Sequence, residues 1–127
     1  MSTPCGIAIK TEKGYETIYV HNDGSPRYMW PMLTKNYNSE EKAKELVSLG
    51  DASWIAESLK PTRYHHSFDT PEKGVCIFYH RDRDEDWCDV APTAYPTIKD
   101  AADCFYYLYI WDNGCWRCYY QGKRLYY

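Results

Sequence analysis

No apolar run in this chain approaches the ~20 residues that span a bilayer, although 44% of its 127 residues are apolar. A membrane-spanning helix is therefore not expected. Surplus positive charge is also missing: 15 Lys and Arg face 18 Asp and Glu, for a formal charge of −3. Duplex DNA binding without sequence preference draws its affinity from cations that neutralise phosphates, so that function is not expected either. Met1-Ser2-Thr3-Pro4-Cys5-Gly6 contains no basic cluster followed by an apolar segment, and without such a signal the chain reads as cytoplasmic. Its six cysteines, at 5, 76, 88, 104, 115 and 118, are then expected to remain free thiols. Internal repeats, linkers and low-complexity tracts are absent, as are a nucleophile elbow and a phosphate-binding glycine loop. The length fits one folded domain, residues 1–127.

What the chain has in excess is aromatic side chains: 14 Tyr, 5 Trp and 3 Phe. Ten of these 22 follow residue 104, so the C-terminal segment needs its own account. Gly6 to Lys10, a polar turn ending in Gly14, and Tyr15 to Val20 read as a β-hairpin. Asn22-Asp23-Gly24 is turn chemistry, and Ser25-Pro26 opens a helix through Tyr37 that Pro31 shortens or distorts. A second helix follows, with Asn38 as its cap, an apolar stripe of Ala43, Leu46 and Val47, and Gly50 as its stop. Asp51 to Glu57 is read as a third, single-turn helix, and Lys60 to Lys73 as a long polar loop.

Gly74 to His80 is apolar on both faces and reads as a central strand. Val90 to Asp103 is a connector with an edge strand at Tyr95-Pro96-Thr97 and a turn from Lys99 to Asp103. Phe105 to Trp111, Cys115 to Tyr120 and Lys123 to Tyr127, joined at Asn113-Gly114 and Gln121-Gly122, read as a meander. The expected architecture is α+β: one antiparallel sheet of about five to six strands, with two to three helices inserted between strands 2 and 3 and packed on one face.

Four constellations carry candidate chemistry. Arg81 to Asp89 holds five acids, Asp82, Asp84, Glu85, Asp86 and Asp89, with Trp87 among them. The spacing is not that of an EF-hand, which leaves a solvated loop or a docking surface that meets a basic groove. Cys115-Trp116-Arg117-Cys118 has zinc or redox spacing, but no second pair accompanies it and the two thiols fall on opposite strand faces, so structural cysteines are the simpler reading. Neither a metal nor another cofactor is expected. His65-His66 with Asp69 lies in the long loop, either exposed or in acid–base chemistry. His21 and His80 each end a predicted strand, and a hydrolase site forms only if those strands are neighbours.

The aromatic meander has three readings: core, a protein interface built on Tyr107, Tyr109, Trp111, Trp116 and Tyr119, or a nucleotide or single-strand platform of Tyr107, Tyr109, Trp116 and Arg117. Its unpaired last strand can also recruit a second copy of the chain.

Ile7-Ala8-Ile9, Ile18 to Pro26, Tyr37, Lys42, Leu46 with Leu49 to Ser53, and Tyr79-His80-Arg81-Asp82-Arg83 together resemble a widespread group of small accessory proteins of tailed phages and prophages. The resemblance covers roughly residues 2 to 89. In that group the turn more often reads His-x-Asp-Gly-Tyr-Pro; here Ser25 stands in place of Tyr. The resemblance implies a mobile-element origin in a host bacterial cell, and the segment after 104 is variable territory. It implies no catalytic residues. By analogy of setting, it points to a non-enzymatic inhibitor of a bacterial defence system of the anti-CRISPR kind, whose partner is a host nuclease or nucleic-acid-handling complex.

Overall fold

The computed structural model describes residues 2–62 and 65–127. The hairpin forms as the sequence predicts: β1 (Cys5–Thr11) and β2 (Gly14–Val20) pair over their whole length, from Cys5 opposite Val20 to Thr11 opposite Gly14. Pro26 starts α1 (Pro26–Asn36), which continues across Pro31 and buries Met29 and Leu33. Helix α2 (Glu40–Ser48) is capped by Ser39, one residue later than Asn38: the Ser39 hydroxyl accepts the Lys42 N–H at 3.2 Å. Gly50, at φ +84°, ends it in the left-handed conformation that glycine adopts without strain.

From this point the observed sheet departs from the expected one. Among the described residues it is a single mixed sheet of eight strands, not an antiparallel sheet of five or six, and it carries five helices on two faces. Ala52–Trp54, expected to be helical, is strand β3, which runs parallel to β2 after α1 and α2 cross the first face. The expected central strand over 74–80 shrinks to β4 (Ile77–Phe78) at the sheet edge. Val75, Cys76 and Phe78 are buried by their own surroundings: the Cys76 thiol, for example, lies 3.2 Å from the Ala56 N–H. The Asp82 carboxylate takes the Phe78 N–H at 2.8 Å and turns the chain into α3 (Tyr79–Arg83). After α4 (Trp87–Val90), strand β5 (Thr93–Tyr95) pairs with the outer edge of β2.

Helix α5 (Ile98–Ala102) then crosses the second face and delivers β6 (Tyr107–Asp112) parallel to β1. β7 (Cys115–Tyr120) and β8 (Lys123–Leu125) complete the expected meander. The strand order is therefore β4-β3-β2-β1-β6-β7-β8, and two crossovers of opposite face account for the parallel pairs. Because helices cover both faces, β1 is buried on both, from Cys5 to Ile9. The main core joins Ile7, Ile9, Ile18 and Val20 to Met29, Leu33, Leu46, Tyr109 and Trp116. A smaller core on the second face joins Ala8, Leu108 and Ile110 to Ala101 of α5.

Candidate functional site

The acidic segment is a structured corner. Asp84 adopts the left-handed conformation (φ +57°) and closes α3, with the Glu85 N–H bonded to the Tyr79 carbonyl at 3.1 Å. The Asp86 side chain caps α4 by accepting the Cys88 N–H at 3.1 Å. Asp84, Asp86 and Asp89 are exposed, and Glu85 is half-buried beside Arg83 at 3.4 Å. Trp87 stands among them, 38% exposed. Its ring meets His80 edge-on at 5.2 Å, and its far edge lies against Gly50, where a Cβ would come within 2.9 Å of it. Acidic side chains thus surround an aromatic anchor with a fixed base.

Asp82 does not share that surface. Its side chain is 3% exposed, accepts Arg81 Nε at 2.9 Å, and lies 3.3 Å from Nε2 of His66, itself 1% exposed. His66 Nδ1 accepts the Glu72 N–H at 2.8 Å, which places the imidazole proton on Nε2, toward Asp82. Arg81 also donates to the carbonyls of Leu59 and Cys76. Each of the three side chains is bonded internally, so the trio ties His66 and the Leu59 and Cys76 carbonyls to α3. His65 is exposed on the outer side of the same loop, with Arg63 and Tyr64 of the predicted loop outside the described residues.

His21 and His80 are not brought together. Strand β3 separates β2 from β4, and Val20, Ala52 and Phe78 form one cross-strand row. As β2 and β4 run in opposite directions, His21 and His80 leave that row on opposite sides. His21 Nδ1 pairs with the Tyr19 hydroxyl at 2.6 Å, and His80 Nδ1 with the Glu85 carbonyl at 2.8 Å.

The meander divides by position along its strands: Tyr107, Tyr109, Trp111, Trp116 and Tyr120 share one face, buried toward the Asn113-Gly114 turn and more open toward Gln121-Gly122. Tyr109 is fully buried and donates to the Gly24 carbonyl at 2.7 Å; burial pushes its phenol well above the usual tyrosine range. Trp116 donates its indole N–H to the Tyr37 carbonyl at 3.0 Å and meets Trp111 edge-on at 5.5 Å. Trp111, Trp116 and Tyr119 are all less than 10% exposed. These rings hold the core and leave only Tyr107, tilted against Tyr120 at 5.1 Å, half-buried among the predicted meander contacts. The exposed rings are instead Tyr106, Tyr120, Tyr126 and Tyr127. The Asn113-Gly114 turn sets the hairpin register and so which residues share a face, but which part of each face is covered is decided by the helices packed on it. Cys115 is exposed and Cys118 buried, as opposite strand faces require, and burial pushes the Cys118 thiol up to about 11. Among the described residues no group of three or more His, Cys, Asp or Glu is placed to hold a metal.

The acidic corner follows β4 at one end of the sheet, and the exposed tyrosines flank β8 at the other. Six strand spacings of about 4.8 Å separate those edges, roughly 29 Å, so they form two surfaces and not one. A groove of about 860 Å³ lies near the second, between α5 and the Gln121-Gly122 turn, lined by Ile98, Ala102, Phe105 and Tyr106 among others. No family model matches this chain, and no curated protein or solved structure matches it either.

Proposed function

We propose that this chain is a non-enzymatic phage or prophage protein that binds a host protein, and that its contact is the α3–α4 corner. The reading rests on one observation: Asp84, Asp86 and Asp89 stand exposed around a half-exposed Trp87 that is already packed against Gly50 and His80. Aromatic anchors held in place before binding lose little entropy on contact, and a rim of like charges steers encounter with an oppositely charged surface. The complementary partner is a basic groove of the kind that carries nucleic acid, which makes a host defence nuclease the class of target. Burial of Tyr109 and Trp116 removes two of the four side chains that a nucleotide platform on the meander would use.

The test is capture of host proteins on the tagged chain, beside a variant carrying Asp84→Asn, Glu85→Gln and Asp86→Asn. One host protein should co-purify in near-stoichiometric amount with the parent and be lost with the variant, whose thermal unfolding should match the parent's. Association with that protein should slow by ~10-fold or more. Equal recovery on both chains, or recovery of no host protein, overturns the proposal.

A further inference from the structure

The second sheet face carries a polar cluster that the corner does not use. On this face, Tyr15 stands opposite Lys10 across the β1–β2 pair, and Asp112 opposite Cys115 across the β6–β7 pair. Ile9 pairs with Trp111, so Lys10 and Asp112 are neighbours and the four residues form one row at the Asn113-Gly114 end. Arg117 lies on the same face one step along β7, opposite Ile110. The Lys10 ammonium sits 4.8 Å from the centre of the Tyr15 ring, and the Tyr15 hydroxyl is within electrostatic reach of Asp112, Tyr119 and Arg117.

Arg117 is poorly satisfied from within. Its Nε is buried and has no hydrogen-bond partner among the described residues. Its Nη1 is 3.9 Å from the Asp112 carboxylate, beyond hydrogen-bond distance, and its other polar neighbours are the weakly polar Cys115 thiol and the Tyr119 hydroxyl. A guanidinium offers five donors in a planar fork, and a buried donor without an acceptor is a cost that folded chains rarely leave standing. The side chain is 28% exposed, so part of its fork reaches solvent while Nε stays buried; an anion that takes the Nε edge has to turn the guanidinium outward. Two cations and a phenol hydroxyl then share one patch of this face with Asp112, and Glu12 and Glu16 line a groove with Lys10 at its edge.

We infer that Arg117, Lys10 and the Tyr15 hydroxyl form a binding site for the phosphoryl group of a small phosphorylated molecule. Phosphate oxygens match the Nε–Nη edge of arginine bidentately, and Lys10 adds a point charge beside it. Asp112 fills the place beside Arg117 when no anion is bound and must yield when one is. This site is independent of the α3–α4 corner and stands whether or not that corner binds a protein.

The measurement is an NMR titration of the full chain that follows the Arg117 Nε–H resonance, with inorganic phosphate and adenosine monophosphate as separate probes and chloride balancing ionic strength. Saturable movement of that resonance supports the site. Equal affinity for the two probes assigns recognition to the phosphoryl group alone, and tighter binding of the monophosphate assigns further contacts to its organic part. Arg117→Gln should weaken binding by more than ~10-fold, read on neighbouring amides. Lys10→Gln, an exposed change that leaves the guanidinium in place, should weaken it by roughly threefold, and Asp112→Asn should tighten it by roughly fivefold. No saturable shift up to about 50 mM of either probe, or binding unchanged in all three variants, overturns the inference.

Discussion

Asp82 accepts hydrogen bonds from the Phe78 N–H and from Arg81 beneath the surface, while Asp84, two residues on, projects into solvent with no role in packing. Breaking a buried ion pair from one side leaves the other charge stranded, so Asp82→Ala should lower unfolding free energy by about 3 kcal/mol in urea titration. Asp84→Asn should change it by no more than about 0.5 kcal/mol, since asparagine also tolerates the left-handed conformation. Both carboxylates sit in one acidic run, and the sequence holds no mark that separates them; the distinction comes from His66 arriving on the 58–76 loop. Asp51 supplies a pH-dependent counterpart. Burial raises its carboxyl above the ordinary range, only partly offset by the Tyr19 N–H that it accepts at 2.8 Å. An acid whose folded-state value is raised binds its proton more readily in the native state, so its contribution to stability grows as pH falls through that value and declines as pH rises through it. Asp51→Asn should therefore be more stable than the parent at pH 7, with the difference closing as pH falls through the raised value toward the usual aspartate range and gone below it. A gap in thermal midpoint that stays constant from pH 7 to pH 3 would refute this account of Asp51.

Among the elements, α2 and the corner are coupled at one residue. Gly50 ends α2 with a positive φ, and a Cβ there would come within 2.6 Å of the Val90 carbonyl as well as against the Trp87 ring. Gly50→Ala should cost about 2–3 kcal/mol from the left-handed backbone and the displaced contacts together. It should also weaken partner binding as strongly as loss of an acid, although residue 50 carries no charge, because it moves the anchor. Calorimetric unfolding beside an affinity measurement separates the two effects; intact affinity would detach Trp87 from the docking role. Helix α2, with its caps and stripe, was readable to within a residue, because those signals are local. Strand β3 was not: Ala52–Trp54 has no alternation of its own and takes its strand form from pairing with β2 and β4.

Across the whole molecule, the C-terminal segment closes the sheet. Tyr109, Trp111, Trp116 and Cys118 lie in the main core, and β6 covers the free edge of β1. A chain ending at residue 104 would expose that edge and lose much of its apolar contact, so it should give no cooperative thermal transition, whatever happens to the docking corner. Chemical labelling offers a second check on the overall arrangement. Cys88, Cys104 and Cys115 are exposed and should react with a thiol reagent in the native state, while Cys5, Cys76 and Cys118 should react only on unfolding. A native count of three fast thiols meets this expectation; fast reaction of more than three would mean that the core opens at the Cys5–Cys118 contact or around Cys76.

By itself the sequence determined what depends on neighbours a few residues apart. The first hairpin, the extent and Gly50 stop of α2, the start of α1 at Pro26 and the C-terminal meander all follow from turn residues, helix signals and short-range patterning, with the α2 cap displaced by one residue to Ser39. Only the tertiary structure decided which strands lie side by side, that β1 pairs with β6 in parallel, and that the acidic corner and the exposed tyrosines occupy opposite ends of one sheet. It also decided which aromatic residues are core and which acid is buried. The physical reason is range: a turn is favoured by dihedral preferences within its own residues, whereas pairing between residues a hundred positions apart is settled by where helices cross and which faces they cover.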